Sequence, residues 1–249
     1  MTDSNPSPPA ADEISPACSR IKSNLAAVHE RIAGACRLAG RDPAEVRLVA
    51  VTKYVDAATT AATRQAGCLD LAESRPQAIW EKAAALAEAP VRWHLIGHLQ
   101  RNKIRRTLPL LGVLHSLDSL RLLAAVEAEA DPTEIACCDV LVEVNLTDDP
   151  GRSGAVKTDV PALVAAAAAA RGVRLVGLMG MAGHPDAAAA DARRDFARLR
   201  VLRDELTRSL PTPDLLRELS MGMSGDFEAA ILEGATIVRI GSALFEGLG

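Results

Sequence analysis

Aromatic residues are nearly missing from this 249-residue chain: Trp80, Trp93, Tyr54, Phe196, Phe227 and Phe245 make up 2% of it. That scarcity disfavours functions built on aromatic platforms, such as grooves that stack nucleobases. Lysine is scarce as well. Of 28 lysines and arginines only Lys22, Lys53, Lys82, Lys103 and Lys157 are lysines, so each one's setting can be inspected. No basic block stands out and the formal net charge is −4, which argues against nucleic acid or an anionic membrane as a partner. No charge-free apolar run approaches the ~18 residues of a membrane span. Residues 1–16 are rich in Pro and Ser, acidic, and lack the apolar stretch of a signal peptide, so they read as a disordered tail before a single domain over 17–249. The five cysteines (Cys18, Cys36, Cys68, Cys137, Cys138) form no CxxC pair, which excludes a zinc-ribbon spacing and a disulfide framework and suits a reducing cytoplasm.

What is present is apolar mass, 49% of the residues, mostly Ala, Val and Leu. It falls into a rhythm. An initial helix over about Ile21–Leu38, stopped by Gly40, precedes eight apolar strand segments: 46–51, 68–71, 91–96, 113–117, 139–145, 173–179, 216–220 and 236–240. Helical stretches follow them: to Gln65, 76–86, a short basic one through Arg106, 119–130, one through the alanines 165–170, 187–209 and 227–233, with a final turn at 242–246. Alternating strands and helices predict a parallel sheet. Eight units in about 205 residues fit a single (β/α)8 barrel of the TIM type with an extra N-terminal helix. A doubly wound open sheet is the rival, but the turn after Val51 is Thr-Lys-Tyr-Val-Asp, not the Gly-rich phosphate loop that fold places early. No linker rich in Pro, Gly and Ser divides the chain after residue 40.

Barrel active sites gather at the C-terminal ends of the strands. The first strand ends at Lys53. An ammonium at the mouth of an apolar strand is partly desolvated, which favours the neutral amine and a Schiff base; the plainer reading is a surface lysine that begins a loop. After the seventh strand comes Ser220-Met-Gly222-Met223-Ser224-Gly-Asp, and after the eighth Gly241-Ser242. Glycines admit close approach of an anion to backbone N–H groups, serines add donors, and loops seven and eight are where many barrels hold phosphate. Ordinary serine-capped turns are the alternative. Arg239 sits inside the eighth strand, where a buried guanidinium needs a structural carboxylate or a ligand acceptor. A lysine, a phosphate cup and a strand-eight arginine together suit pyridoxal 5′-phosphate (PLP): aldehyde on the lysine, phosphate in the cup, ring nitrogen at the arginine.

The segments Leu48-Val-Ala-Val-Thr-Lys53, Trp93-His-Leu-Ile-Gly-His-Leu-Gln-Arg-Asn-Lys103, Glu143-Val-Asn-Leu146, Gly177-Leu-Met179, Leu219-Ser-Met-Gly-Met-Ser224-Gly-Asp226 and Val238-Arg-Ile-Gly241 are each weak but jointly specific. On them the chain, from about Ile21 onward, resembles the pyridoxal phosphate homeostasis proteins, relatives of the N-terminal barrel of bacterial alanine racemase. The resemblance implies an intracellular role in PLP homeostasis, with the cofactor held as a Schiff base on Lys53, its phosphate on Ser224, Gly241, Ser242 and neighbouring backbone, and its pyridine nitrogen at Arg239. It further implies PLP-requiring apo-enzymes as acceptors, and a monomer or weak dimer. The racemases add a tyrosine base from a C-terminal domain for which this chain leaves no room, and its sole tyrosine, Tyr54, adjoins Lys53; a PLP-dependent racemase-like enzyme, or a Schiff-base aldolase barrel without PLP, remains the alternative. Two positions depart from the family pattern: Ser74 replaces an expected asparagine, and Gly151-Arg-Ser-Gly154 has arginine where a lysine is usual.

His94 and His98 stand four residues apart with no third ligand in sequence, so no metal is expected, and His94 either lines the site or bonds within the core. Asn145 and Met179 end strands five and six, where they line a cofactor or, for Met179, fill the barrel top. Arg101–Arg106 contacts phosphates or forms a solvated helix face, and Asp148, Asp149 and Asp226 read as caps or solvent-facing acids.

Overall fold

Ser15 opens the first helix: its hydroxyl accepts from the N–H of Cys18, Pro16 fills the first turn, and Gly40 ends the helix in the left-handed conformation at φ 66°. This helix, α1 (Pro16–Ala39), starts five residues before the sequence pattern places it, because its first buried turn is carried by Cys18 and not by a large aliphatic residue. The chain is seen in a computed structural model that describes residues 15–130, 138–147, 149, 151–183, 189–210 and 212–248. Most of the expected tail, Cys137, Asp148, Gly249 and the expected helix start at Ala187 lie outside the described residues.

Eight strands follow: β1 Arg47–Val51, β2 Asp70–Glu73, β3 Arg92–Leu95, β4 Leu111–Leu117, β5 Asp139–Val144, β6 Arg174–Gly180, β7 Glu218–Ser220 and β8 Ile237–Ile240. Each pairs in parallel with the next, and β8 returns to β1 in the register Arg47↔Ile237 to Ala50↔Ile240, closing the barrel. The helices between them are α2 Ala57–Gln65, α3 Pro76–Ala85, α4 Ile104–Thr107, α5 Leu120–Glu129, α6 Val160–Ala169, α7 Ala189–Thr207 and α8 Phe227–Leu232. After β8 the described residues form a 3-10 turn, Ser242–Leu244, and α1 packs between α8 and α2 and against that turn. Asn24 of α1 donates to the carbonyls of Leu244 and Glu246 at 3.0 and 2.9 Å. The N-terminal helix, expected as an addition, therefore occupies the eighth place in the helical ring.

Three strands depart from the sequence reading by two residues, β2, β4 and β7; β4 begins at Leu111 and not at 113. β2 runs 70–73 and not 68–71, because Gly67 turns at φ 113° and the strand continues through Glu73, whose carboxylate is paired inside. Leu216 belongs to a 3-10 turn over 213–216, so β7 begins only at Glu218.

The core has two layers, as the period-2 alternation of strands requires. Val49, Val51, Ala72, Val113, Leu141, Met179 and Ile237 fill the barrel interior. Ala50, Leu71, Leu95, Leu114, Val140, Leu178 and their like point outward against the helices.

Candidate functional site

The loops after β7 and β8 meet. Ser224 Oγ accepts from the N–H of Gly241 at 3.2 Å and of Ala243 at 3.4 Å, so one hydroxyl ties both turns together. Gly222, at φ 91°, makes the bend that allows this; a Cβ there would stand 2.7 Å from that of Ala230 and 2.8 Å from Phe227 Cα. Asp226 accepts from the N–H of Met223 at 2.6 Å, and burial pushes its carboxyl above the ordinary value, partly offset by that bond and by Arg239. Ser242 is exposed, Met223 is 42% exposed, and Gly241 lies against the end of β1, where a Cβ would come 3.4 Å from the Val51 carbonyl oxygen. The turn after β8 thus borders the one that carries Lys53.

Arg239 on β8 is 3% exposed. Of the two partners expected of it in sequence, the structural carboxylate is not found among the described residues. Nη1 donates to Ser220 O and Ser220 Oγ, both at 2.7 Å, and Nη2 to Gly180 O at 3.2 Å. Among the described residues, two of its five N–H groups make no hydrogen bond within the chain. Desolvation lowers its pKa to about 10, against the attraction of Asp226 and Glu143, so it stays charged at neutral pH.

Lys53 lies in the turn just past β1 and is exposed, its Nζ 4.8 Å from the ring centroid of Tyr54. The desolvation expected for its ammonium is not there, since Thr52 is the last buried residue of the run. The desolvated lysine is Lys82 on α3, 6% exposed, which donates to Glu73 Oε1 at 2.6 Å and to the Thr52 carbonyl at 2.8 Å. Thr52 Oγ1 donates to the same carboxylate oxygen at 2.6 Å. These three side chains clamp the backbone one residue before Lys53.

Ser220 and His94 are fully buried, and each is taken up by interior hydrogen bonds: Ser220 with Arg239 and His115, His94 with Asp70 and His115. Asn145, 8% exposed, spends its amide on its own loop, donating to Asp149 O at 2.9 Å and accepting from both Thr147 N and Oγ1. Met179 is 1% exposed in the interior cluster, which is its barrel-filling reading. His98 is exposed, 3.8 Å from Asp118, whereas His94 is buried. Arg101 and Asn102 line a cavity of about 720 Å3 with His98, Asp118 and Arg121, while Arg106 stacks on Trp80 at 4.1 Å. Arg152 donates to the Ala182 carbonyl, which anchors the loop where the family's lysine is absent.

Four buried ionisable groups of the interior and its mouth have no role in the sequence reading. Glu143, at the end of β5, accepts from Ser153 at 2.6 Å; burial raises its pKa despite that bond. His115 and the Glu73–Lys82 pair are the others. A charged or imidazole residue inside an apolar strand segment, as in Asp139-Val-Leu-Val-Glu143 or Val113-Leu-His115, was the available signal.

The family model described as "Alanine racemase, N-terminal domain" matches residues 23–248. A protein of Pseudomonas aeruginosa named "Pyridoxal phosphate homeostasis protein" is 41% identical, over 91% of this chain and 95% of its own. The structure of an unknown protein from Bifidobacterium adolescentis superposes with a TM-score of 0.85 at 36% identity, covering 95% of this chain and 99% of that one. PipY of Synechococcus elongatus PCC7942, solved with PLP bound, gives 0.78 at 31% identity, covering 90% and 99%.

Proposed function

We propose, from the premise that this chain belongs to the pyridoxal phosphate homeostasis family within the alanine racemase N-terminal domain family, that it binds PLP and serves PLP homeostasis. The observation that carries the reading is the convergence of three features at one barrel mouth. Ser224 joins the β7 and β8 turns into a cup of backbone N–H groups, Arg239 keeps two donors without a partner among the described residues, and the exposed amine of Lys53 stands past the neighbouring strand. The residues fit the group. Backbone of 222–224 and 241–243 with Ser224 and Ser242 would take the phosphate, Arg239 the ring nitrogen, and Lys53 the aldehyde. Bound PLP supplies a reversible covalent link to an amine and an electron-withdrawing ring.

The chain's own residues favour holding over turnover. A charged guanidinium does not readily give up a proton to a ring nitrogen, so a ring held at Arg239 would be a weak electron sink. Lys53, exposed and, among the described residues, in contact only with its neighbour's ring face, is accessible for exchange with an acceptor. We assign the role to the cytoplasm, with PLP-requiring apo-enzymes as acceptors; among the described residues no helix is long and apolar enough to cross a membrane.

The test is direct. Purified protein incubated with PLP should turn yellow and transfer the cofactor to an apo-enzyme, Lys53→Ala should stay colourless, and D- and L-amino acids should not be racemised. A wild-type protein that stays colourless, or one that racemises amino acids rapidly, would overturn this reading.

A further inference from the structure

A row of polar side chains crosses the barrel interior behind Arg239. Asp70 is the first residue of β2, His94 lies on β3, His115 on β4, Ser220 is the last residue of β7 and Arg239 lies on β8. His94 Nε2 is 2.8 Å from Asp70 Oδ1, His94 Nδ1 is 2.8 Å from His115 Nε2, His115 Nδ1 is 2.9 Å from Ser220 Oγ, and Ser220 Oγ is 2.7 Å from Arg239 Nη1. Both imidazoles and the hydroxyl are fully buried.

The direction of every bond follows from its ends. A guanidinium only donates, so Ser220 Oγ accepts from Arg239 and offers its own proton to His115 Nδ1. His115, bare at Nδ1, carries its proton on Nε2 and gives it to His94 Nδ1. His94 then carries its proton on Nε2 and donates to the Asp70 carboxylate. Reversing the row would need a cationic His94 and a serine proton sent elsewhere. That cation would lie in a buried space whose charged neighbours, apart from Asp70, are Arg47, Arg92 and, through His115, Arg239. Burial holds both imidazoles below their ordinary value of 6.5, His115 well below it.

We propose that Asp70, His94, His115 and Ser220 form a one-way hydrogen-bonded relay that positions the Arg239 guanidinium, so that its hold on a ligand at the barrel mouth depends on a carboxylate at the opposite end of the strands. Ser220 presents a lone pair to Arg239 because its proton has an acceptor in His115. Without that acceptor the hydroxyl rotates to another oxygen, and Nη1 loses one of its two 2.7 Å bonds. These four are positioning residues; the ligand end of the relay rests on the PLP reading above, and the relay itself does not.

The experiment has two arms. Two-bond 1H–15N spectra of the PLP-free protein at pH 7 should show His94 and His115 both neutral and both protonated on Nε2; an imidazolium or an Nδ1–H tautomer at either position overturns the relay. PLP titration should show roughly tenfold weaker binding for Ser220→Ala and for His115→Phe, with a displaced absorption band of the bound cofactor. Asp70→Asn, whose amide oxygen still accepts from His94, should restore wild-type affinity and band, and Asp70→Leu should not. Wild-type affinity and band in Ser220→Ala, or in Asp70→Leu, overturns the positioning claim. A wild-type chain that takes up no PLP overturns the functional reading and the ligand end with it, while the tautomers still decide the relay.

Discussion

The two corners of the barrel mouth that flank the β1–β8 seam are built in opposite ways. At the β7–β8 corner the polar side chains are anchored within the chain: Ser224 to two N–H groups, Asp226 to Met223, and Arg239 by three of its five N–H groups to Ser220 and Gly180. At the β1–β2 corner the polar bonds lie behind the surface, in the Thr52–Glu73–Lys82 clamp, and Lys53 stands exposed in front. The difference matches two tasks. An anion and a ring nitrogen are recognised best by donors already in place, because ordering them on binding costs affinity. An amine that must bond covalently and let go again benefits from reach, provided that its backbone is fixed.

The sharpest way to break this contrast is to unmake the clamp. Lys82→Met leaves Glu73, 1% exposed, without its cation and is expected to destabilise the fold by about 3–5 kcal/mol, lowering Tm by roughly 10 °C. Thermal unfolding checks it, and Glu73→Gln with Lys82→Met together should recover part of the loss. At the opposite corner, Gly222→Ala puts a Cβ into Ala230 and Phe227 at a positive φ and should cost about 1–3 kcal/mol, read from the urea midpoint. Ser224→Ala unties the two turns at a cost of about 1 kcal/mol in stability and roughly tenfold in PLP affinity, measurable by titration.

A smaller effect separates the barrel interior from its mouth by pH. His94 and His115 are held neutral by burial, so the folded chain carries fewer protons than the unfolded one below pH 6.5. Their contribution is complete above that pH and is lost as pH falls. Glu143 has the opposite sign: its raised pKa favours the fold at low pH, and that contribution is lost as pH rises above about 4.5. Urea midpoints from pH 7.5 down to 5.5 should fall, and fall less in His115→Phe. Glu143→Gln removes the opposing decline above about pH 4.5, so the midpoint should rise more steeply with pH than in the wild type.

How much of this was legible in the sequence follows the same contrast. The β7–β8 corner was readable because two loops rich in glycine and serine follow the last two strands, and Ser224 does join them at Gly241 and Ala243. Lys53 was readable from its place after an apolar strand, but its exposure was not, because one residue of turn separates buried Thr52 from solvent. The clamp and the interior row were hidden. Glu73, Lys82, His94 and His115 are distant in sequence, and only barrel closure brings their strands and helix together. Asn145 and Ser220 were placed correctly at strand ends, yet their polar atoms are consumed by the loop and by Arg239. The eighth helix of the ring was out of order, supplied by α1 from the opposite end of the chain.

The central claim, that the free amine at the β1 corner is the one that holds PLP, has a direct test. The protein is loaded with PLP, treated with borohydride, digested and mapped by mass spectrometry. The account requires the reduced pyridoxyl group on Lys53, at near-stoichiometric yield, with Lys22, Lys82, Lys103 and Lys157 unmodified. An adduct spread over several lysines, or one fixed on a lysine other than Lys53, would contradict it.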